Sequence, residues 1–295
     1  MTADQSPADT VFAEHRGLLV AVAYRVLGSL TDAEDAAQDA WLRWRRVPAD
    51  EIRDPRGFLV KVVTRLAIDR LRRRQARRET YAGDWLPEPL PTGGTAGDAP
   101  AQVELGEDVS TALLLVLETL SPLERAVFVL HEAFGYRHAE IGAILDRSEP
   151  AVRQLARRAR DHVAERRPRF DADPVQGRRV AEQFMAASAV GDLAGLLSVL
   201  APDVTLVTDS GGKVRAPLLP LSGADNVGRF LATVSSRELP DPRWRVVELN
   251  GAPGLVVTSE GRPVAAVTLE VTGGRVTAIY LVANPAKLGA FVVDP

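Results

Sequence analysis

The stretch RLRRRQARR at positions 70–78 holds six arginines in nine residues, although the whole chain has a net charge of -3. A guanidinium is permanently charged and presents a planar fork of donors, so a cluster of them suits phosphate. The last turn of a helix needs only two or three cations to complement its dipole. Asp69 lies four residues from Arg65 and from Arg73 and offers local pairing. The remaining charge meets no acidic side chain in the sequence before Glu79. Arg65, Arg70, Arg72, Arg73, Arg74 and Arg77 are therefore candidate DNA-binding residues. A second basic stretch, AVRQLARRAR at 151–160, places Val152, Leu155, Ala156 and Ala159 on one helix face. Arg153, Gln154, Arg157, Arg158 and Arg160 are left on the other, where arginine pairs with guanine edges, glutamine with adenine, and either with phosphate. A third row, Asp32, Asp35 and Asp39 with Gln38, repels DNA and suits a basic protein surface.

Other chemistries have little to work with. The chain has no cysteine, which excludes disulfides and thiolate metal sites. Its four histidines, His15, His131, His138 and His162, are scattered rather than spaced as zinc ligands. No metal, no cofactor and no catalytic residue is expected, since no nucleotide-cofactor or metal motif occurs. No apolar run reaches the roughly 18 residues of a membrane helix. The first ten residues, MTADQSPADT, do not read as a secretory signal, so a cytoplasmic location is expected. A chain of 295 residues with 46% apolar and 25% charged content is ordinary soluble protein of two or three domains. With three lysines only (Lys61, Lys213, Lys287), nearly all its basic charge is arginine. A GC-rich coding sequence explains most of that total but not its clustering.

The elements that must position these residues divide the chain into pieces. Residues 10–78 show apolar residues recurring at three and four, a helical period. One helix carries Ala33, Ala37, Ala40, Trp41 and Trp44 inward, and a second carries Leu59, Val62, Val63, Leu66 and Ala67 inward before running into the arginines. Residues 79–107 are rich in Pro, Gly and Ala without regular pattern and read as a linker. Within it, Trp85 and Leu86 are apolar groups followed by stiffening prolines, so that segment is expected to dock. Residues 108–168 are helical again. Ser121, Pro122 and Glu124 form a capping box, Gly135 ends that helix, and HAEIGAIL, DRS and the arginine helix make a helix-turn-helix with Ser148 able to cap. Residues 174–295 give two helices, a strand VTLVT, a helix near 224–235 and four strand-like runs joined by EGRP and TGGR turns, an α+β domain.

In this order and spacing the pieces resemble an extracytoplasmic-function sigma factor of the sigma-70 family. GSLTDAEDAAQDAWLRWRR looks like the part of region 2 that binds the β′ clamp helices of RNA polymerase. VVTRLAIDRLRRR looks like the helix that reads the promoter -10 element. LSPLERAVFVLHEAFGYRHAEIGAILDRSEPAVRQLARRAR looks like region 4, which reads the -35 element. The resemblance implies core RNA polymerase, through its β′ clamp helices and β flap, and promoter DNA as partners, with Asp32, Asp35, Gln38 and Asp39 facing polymerase and the arginines facing DNA. WLPEPL (85–90), DSGGK (209–213) and NPAKL (284–288) resemble motifs of the SigJ-type group, which carries a C-terminal SnoaL-like domain of the NTF2-like fold. Ser210 stands where the group has a glycine. The expected fold is thus multidomain: two all-α sigma domains, the second with a helix-turn-helix, and an α+β NTF2-like domain. The expected boundaries are 8–80 for region 2, 81–107 for the linker, 108–170 for region 4 and 174–295 for the SnoaL-like domain. The resemblance implies that the fused domain tunes activity. Trp85, Leu86 and Pro87 are expected to meet Asp209, Gly211, Gly212, Lys213, Asn284, Pro285, Lys287 and Leu288.

Two rival readings come from other classes. An isomerase- or cyclase-type NTF2-like enzyme would use Asp209 and Tyr280 with Lys213 in one pocket, and a small-molecule ligand without turnover is a milder version. A helix-turn-helix regulator with a ligand-sensing domain explains residues 108–295 but leaves 10–78 without a role.

Overall fold

In the computed structural model the described residues are 7–48, 52–77, 81, 83–92, 110–166, 174–235 and 239–291. They form two compact units, one from residues 7–77 and 112–166 and the other built mainly from 81–92 and 174–291. No helix among the described residues is long and apolar enough to cross a membrane.

The first unit is helical throughout. Helices α1 (Pro7–Leu27), α2 (Leu30–Trp44) and α3 (Pro55–Arg77) pack on one another. Gly28, at φ +68°, turns the chain between the first two, and the Ser29 hydroxyl accepts from the Asp32 amide at 3.2 Å to cap α2. The buried stripe of α2 is Ala33, Ala36, Ala37, Ala40 and Trp44. Trp41 is half-buried, donating from Nε1 to Asp9 at 3.2 Å. On α3, Leu59, Val63, Ala67 and Leu71 recur every four residues and are fully buried.

Helix α4 (Thr111–Glu118) leads to α5 (Pro122–Phe128), whose start carries the full capping box between Ser121 and Glu124. A π-helical turn at Val129–Ala133 extends α5, and Gly135 ends it at φ +67°. Then come α6 (His138–Leu145) and α7 (Glu149–Arg166), the helix-turn-helix. The turn between them is tight. Asp146 takes the left-handed conformation (φ 52°), and a Cβ on Gly142 would lie 2.7 Å from the Arg147 carbonyl.

The second unit layers three helices, α8 (Pro174–Val190), α9 (Leu193–Val199) and α10 (Ala224–Ser235), against one sheet. Its strands are β1 (Pro91–Thr92), β2 (Leu200–Asp209), β3 (Leu221–Ser222), β4 (Pro242–Leu249), β5 (Ala252–Ser259), β6 (Arg262–Thr272) and β7 (Arg275–Val282). Their order is β1-β4-β5-β6-β7-β2-β3, with β2 parallel to β7 and every other pair antiparallel. Paired left-handed residues make the hairpin turns at Asn250–Gly251, Glu260–Gly261 and Gly273–Gly274. The helix-facing side of the sheet is filled by Phe184, Leu196, Leu206, Leu255, Leu269 and Ile279. This is the α+β arrangement expected of an NTF2-like domain.

Residues 81–92 differ from the patternless linker read from the sequence. Leu86 to Leu90 are all buried, and Pro91–Thr92 form β1 on the edge of β4. The segment is a strap on the second unit. Its apolar residues and its backbone amides find partners that lie more than a hundred residues further along the chain.

Candidate nucleic-acid interface

The arginine helix α7 presents one polar face. Val152, Ala156 and Ala159 are buried, while Arg153, Gln154, Arg157, Arg158 and Arg160 are exposed. Arg153 pairs with Glu149 at 2.7 Å, Arg157 with Asp161 at 3.7 Å and Arg160 with Glu132 at 3.8 Å. Such exposed pairs contribute little and exchange readily for phosphate.

The cluster on α3 is organised differently. Arg70 donates to Asp39 at 2.8 Å, and Arg72 pairs with Asp69 at 3.4 Å. Arg74 bonds the Leu27 carbonyl and reaches Glu118 at 2.8 and 3.1 Å. Arg65 donates to the Ile144 carbonyl at 2.8 Å and pairs with Asp146. Arg73 is exposed. The side chain of Arg77 lies outside the described residues. The sequence offers this charge few acidic partners nearby, and the fold brings Asp39, Glu118 and Asp146 to it from distant points in the chain. Of the acidic row on α2, Asp35 and Gln38 are exposed, Asp32 is half-buried, and Asp39 is engaged by Arg70.

A buried ion cluster ties α4 and α5 to α1 and α3 within this unit. Glu118 is 9% exposed and Arg125 is fully buried. Arg125 pairs with Glu118 and donates from Nε to the Arg25 carbonyl at 3.2 Å. The Arg25 guanidinium lies 4.9 Å from the centre of the Phe134 ring. Neither Glu118 nor Arg125 is a candidate in the sequence reading. A lone acid in the apolar run TALLLVLETL is the signal that could have pointed to the first.

In the second unit the strap closes over a buried carboxylate. Asp209, fully buried, accepts from the Tyr81 hydroxyl at 2.6 Å, the Leu86 amide at 2.9 Å, the Gly211 amide at 3.1 Å and Lys287 Nζ at 2.6 Å. Lys287 Nζ also donates to the Leu86 carbonyl and sits 4.0 Å above the Trp85 ring. Asn284 donates to the Tyr81 hydroxyl at 3.1 Å. Burial and the neighbouring Asp209 carboxylate push the Tyr81 hydroxyl well above its usual range. At the far end the Leu90 amide donates to Asn250 at 3.0 Å and the Leu90 carbonyl accepts from the Asn250 amide at 2.9 Å. The strap thus runs from the end of β2 to the β4–β5 turn, with β7, β6 and β5 between those strands in the sheet order.

Trp85, Leu86, Asp209, Gly211, Asn284 and Lys287 are therefore brought together. Pro87 and Leu288 are buried, and Gly212, Lys213 and Pro285 are exposed. Gly211 is required, since at φ +57° its Cβ would lie 2.5 Å from Asn284. Ser210 is not in the left-handed region, and its hydroxyl accepts from the Gly212 amide at 3.3 Å, so the departure from the group's glycine is accommodated. Tyr81 and Asn250 are further members that the motifs did not include.

The trio imagined for an enzyme is not assembled. Asp209 is saturated by the strap, Tyr280 donates to Glu270 at 2.6 Å, and Lys213 is exposed. Burial raises the Glu270 carboxyl above its usual range and raises Tyr280 likewise. Among the described residues no group of three His, Cys, Asp or Glu side chains could hold a metal.

Comparison with known proteins gives the same division. The family model for Sigma-70 region 2 matches residues 11–77, and that for Sigma-70, region 4 matches residues 110–163. The chain is 41% identical over 279 residues to the ECF RNA polymerase sigma factor SigJ of Mycobacterium tuberculosis, covering 91% of this chain and 89% of that protein. It is 32% identical over 284 residues to the probable ECF RNA polymerase sigma factor SigI of the same species, covering 96% and 95%. The crystal structure of Mycobacterium tuberculosis SigJ superposes with a TM-score of 0.75 at 38% identity, covering 95% of this chain and 98% of that one. Both sigma regions, the strap and the fused α+β unit thus fall inside one continuous likeness, and the chain belongs to the extracytoplasmic-function sigma factors of RNA polymerase, in the sigma-70 family.

Proposed function

We propose that this alternative sigma factor binds core RNA polymerase through the exposed acidic face of α2, Asp35 and Gln38 foremost, against the β′ clamp helices. Region 4 meets the β flap. The free face of α7, Arg153, Gln154, Arg157, Arg158 and Arg160, reads the -35 element, and α3 with Arg73 and its neighbours holds the -10 element. The observation that carries this reading is the segregation of α7, with apolar residues inward and four arginines and a glutamine outward. The second unit modulates initiation through the strap, whose Trp85 and Leu86 answer to Asp209, Asn284 and Lys287. Asp209, Asn284 and Lys287 are engaged by the strap itself, which favours regulation by contact over regulation by a small-molecule ligand, and over turnover. Work with polymerase on promoter DNA fits a cytoplasmic location.

The test is promoter-dependent transcription in vitro with core polymerase, using the full chain and a truncation ending near residue 170. The full chain is expected to initiate, and the truncation to change the yield or promoter choice. Arg157→Ala with Arg158→Ala is expected to weaken -35 binding by roughly tenfold or more and to flatten its salt dependence by about two phosphate contacts. No core binding by the full chain would leave a DNA-binding regulator without polymerase.

A further inference from the structure

Two of the four histidines meet at the entrance to the helix-turn-helix. His131 lies in the π-helical turn that extends α5, and His138 opens α6. Both are half-buried, and their rings stack with centres 4.4 Å apart and a tilt of 32°. The Tyr136 carbonyl, 2.9 Å from His131 Nδ1, can only accept a hydrogen bond. Nδ1 therefore carries the hydrogen in the neutral ring, and Nε2 is the bare nitrogen that accepts a proton. His138 Nε2 is shielded from solvent and has no hydrogen-bond partner among the described residues. A pair of leucines would fill the same space without stranding a polar nitrogen, so packing alone does not call for two imidazoles.

The stack lies beside the face of α7 that carries the arginines. Burial first, then His131, Arg160 and Arg153, hold His138 below the usual histidine range, and Glu149 opposes them. Each of those arginines is itself held by an acid, Arg153 by Glu149 at 2.7 Å and Arg160 by Glu132 at 3.8 Å. The other charges nearby are engaged elsewhere: Arg137 with Glu140 at 2.8 Å, Arg25 over the Phe134 ring, and Arg56 and Asp54 with Tyr136. Phosphate that takes Arg153 and Arg160 releases Glu149 and Glu132 to the imidazoles and adds negative charge of its own. Both changes favour a proton on the pair, and repulsion between the stacked rings opposes a second one. We infer that the His131–His138 pair belongs to the DNA-binding face and takes up a proton when α7 engages the phosphate backbone. This rests on the reading of α7 above. By reciprocity, a proton already on the pair tightens DNA binding by the same factor. In the free chain the sign is opposite. With the folded His138 below its unfolded value of 6.5, its contribution to stability is full above that pH and is lost as pH falls beneath it. Acid therefore weakens the fold here while strengthening the contact, which separates a contact role from a structural one.

The test is binding of the full chain to double-stranded DNA by fluorescence anisotropy, at fixed low salt, between pH 7.5 and pH 6.0. Phosphate contacts do not depend on base sequence, so any duplex serves as the probe. The only other histidines are His15 and His162, which keeps the background small. Affinity is expected to rise about threefold across that range, and His131→Gln with His138→Gln should lose most of the rise. An equal rise in the double variant would overturn the inference. Arg157→Ala with Arg158→Ala, measured alongside, tests the reading on which it rests. If that variant binds DNA as tightly as the unaltered chain, the reading of α7 falls and takes the histidine pair with it. If it binds more weakly and the histidine variant keeps the rise, only the histidine pair falls. Should the double variant fail to fold, calorimetry of DNA binding at pH 6.5 in two buffers of different ionisation heat counts protons directly. Uptake of about 0.4 proton is expected for the unaltered chain and less for His138→Gln alone. No uptake, or the same uptake in both, would dismiss the pair from the DNA-binding face.

Discussion

Each unit of this sigma factor holds sequence-distant segments together with one buried carboxylate, and the two do it with different cations. Glu118 in the helical unit is surrounded by Arg74 and Arg125, whose forks also take the Leu27 and Arg25 carbonyls. Asp209 in the α+β unit takes a single ammonium, Lys287, together with a hydroxyl and two backbone amides, and an indole ring covers the ammonium. The arginine cluster bridges helix ends through planar donors. The lysine cluster closes a strap over a sheet end with every donor of the ammonium occupied or covered. The arginines thus hold carbonyl partners besides the carboxylate, whereas the lysine depends on Asp209 as its counter-charge.

The largest expected effect breaks the second cluster. Asp209→Ala leaves Lys287 buried without its counter-charge and frees the Leu86 amide, so the α+β unit should lose about 3–5 kcal/mol. Thermal unfolding followed by circular dichroism, with limited proteolysis at the strap, measures it. Glu118→Gln keeps the shape of the first cluster and removes its charge. Its cost should be smaller, about 2–3 kcal/mol, because the arginines keep their carbonyl partners. Should the glutamine variant prove the more damaging of the two, the contrast between the two clusters would be reversed.

Trp85→Ala sharpens the comparison. It removes the ring above Lys287 but no hydrogen bond from the carboxylate, so a loss of about 1–2 kcal/mol and earlier proteolysis near residue 85 are expected. The smallest effect concerns pH. The Glu270 carboxyl is raised by burial, so the folded state favours its protonated form. Stability therefore falls as pH rises from the unfolded value of 4.5 through the folded one, and stays lower above it. Glu270→Gln should remove that fall and raise the melting temperature near neutral pH by a few degrees. A melting curve with unchanged pH dependence in this variant would show that the Tyr280 hydroxyl already stabilises the charged form.

Much of the molecule was legible in the sequence because its signals are local. The capping box at Ser121–Glu124 needs only four consecutive residues, and the inward and outward faces of α7 follow from the helical period of AVRQLARRAR. The hairpins at EGRP and TGGR follow from adjacent residues able to take positive φ. The strap was only half legible. Trp85 and Leu86 stand out as apolar groups in a polar stretch, but Tyr81 and Asn250 carry no local mark of their roles.

The sequence by itself determined the helical and α+β division, the polar face of the arginine helix and the clustering of charge at 70–78. Only the tertiary structure decided what that charge meets. Arg70, Arg74 and Arg65 find Asp39, Glu118 and Asp146, which lie 31, 44 and 81 residues away in the chain. Helical periodicity specifies which side of a helix a residue occupies, whereas pairing of buried charges depends on which helices the core brings together. The same holds for Asp209, whose partners Tyr81, Leu86 and Lys287 become neighbours only when the strap has crossed the sheet.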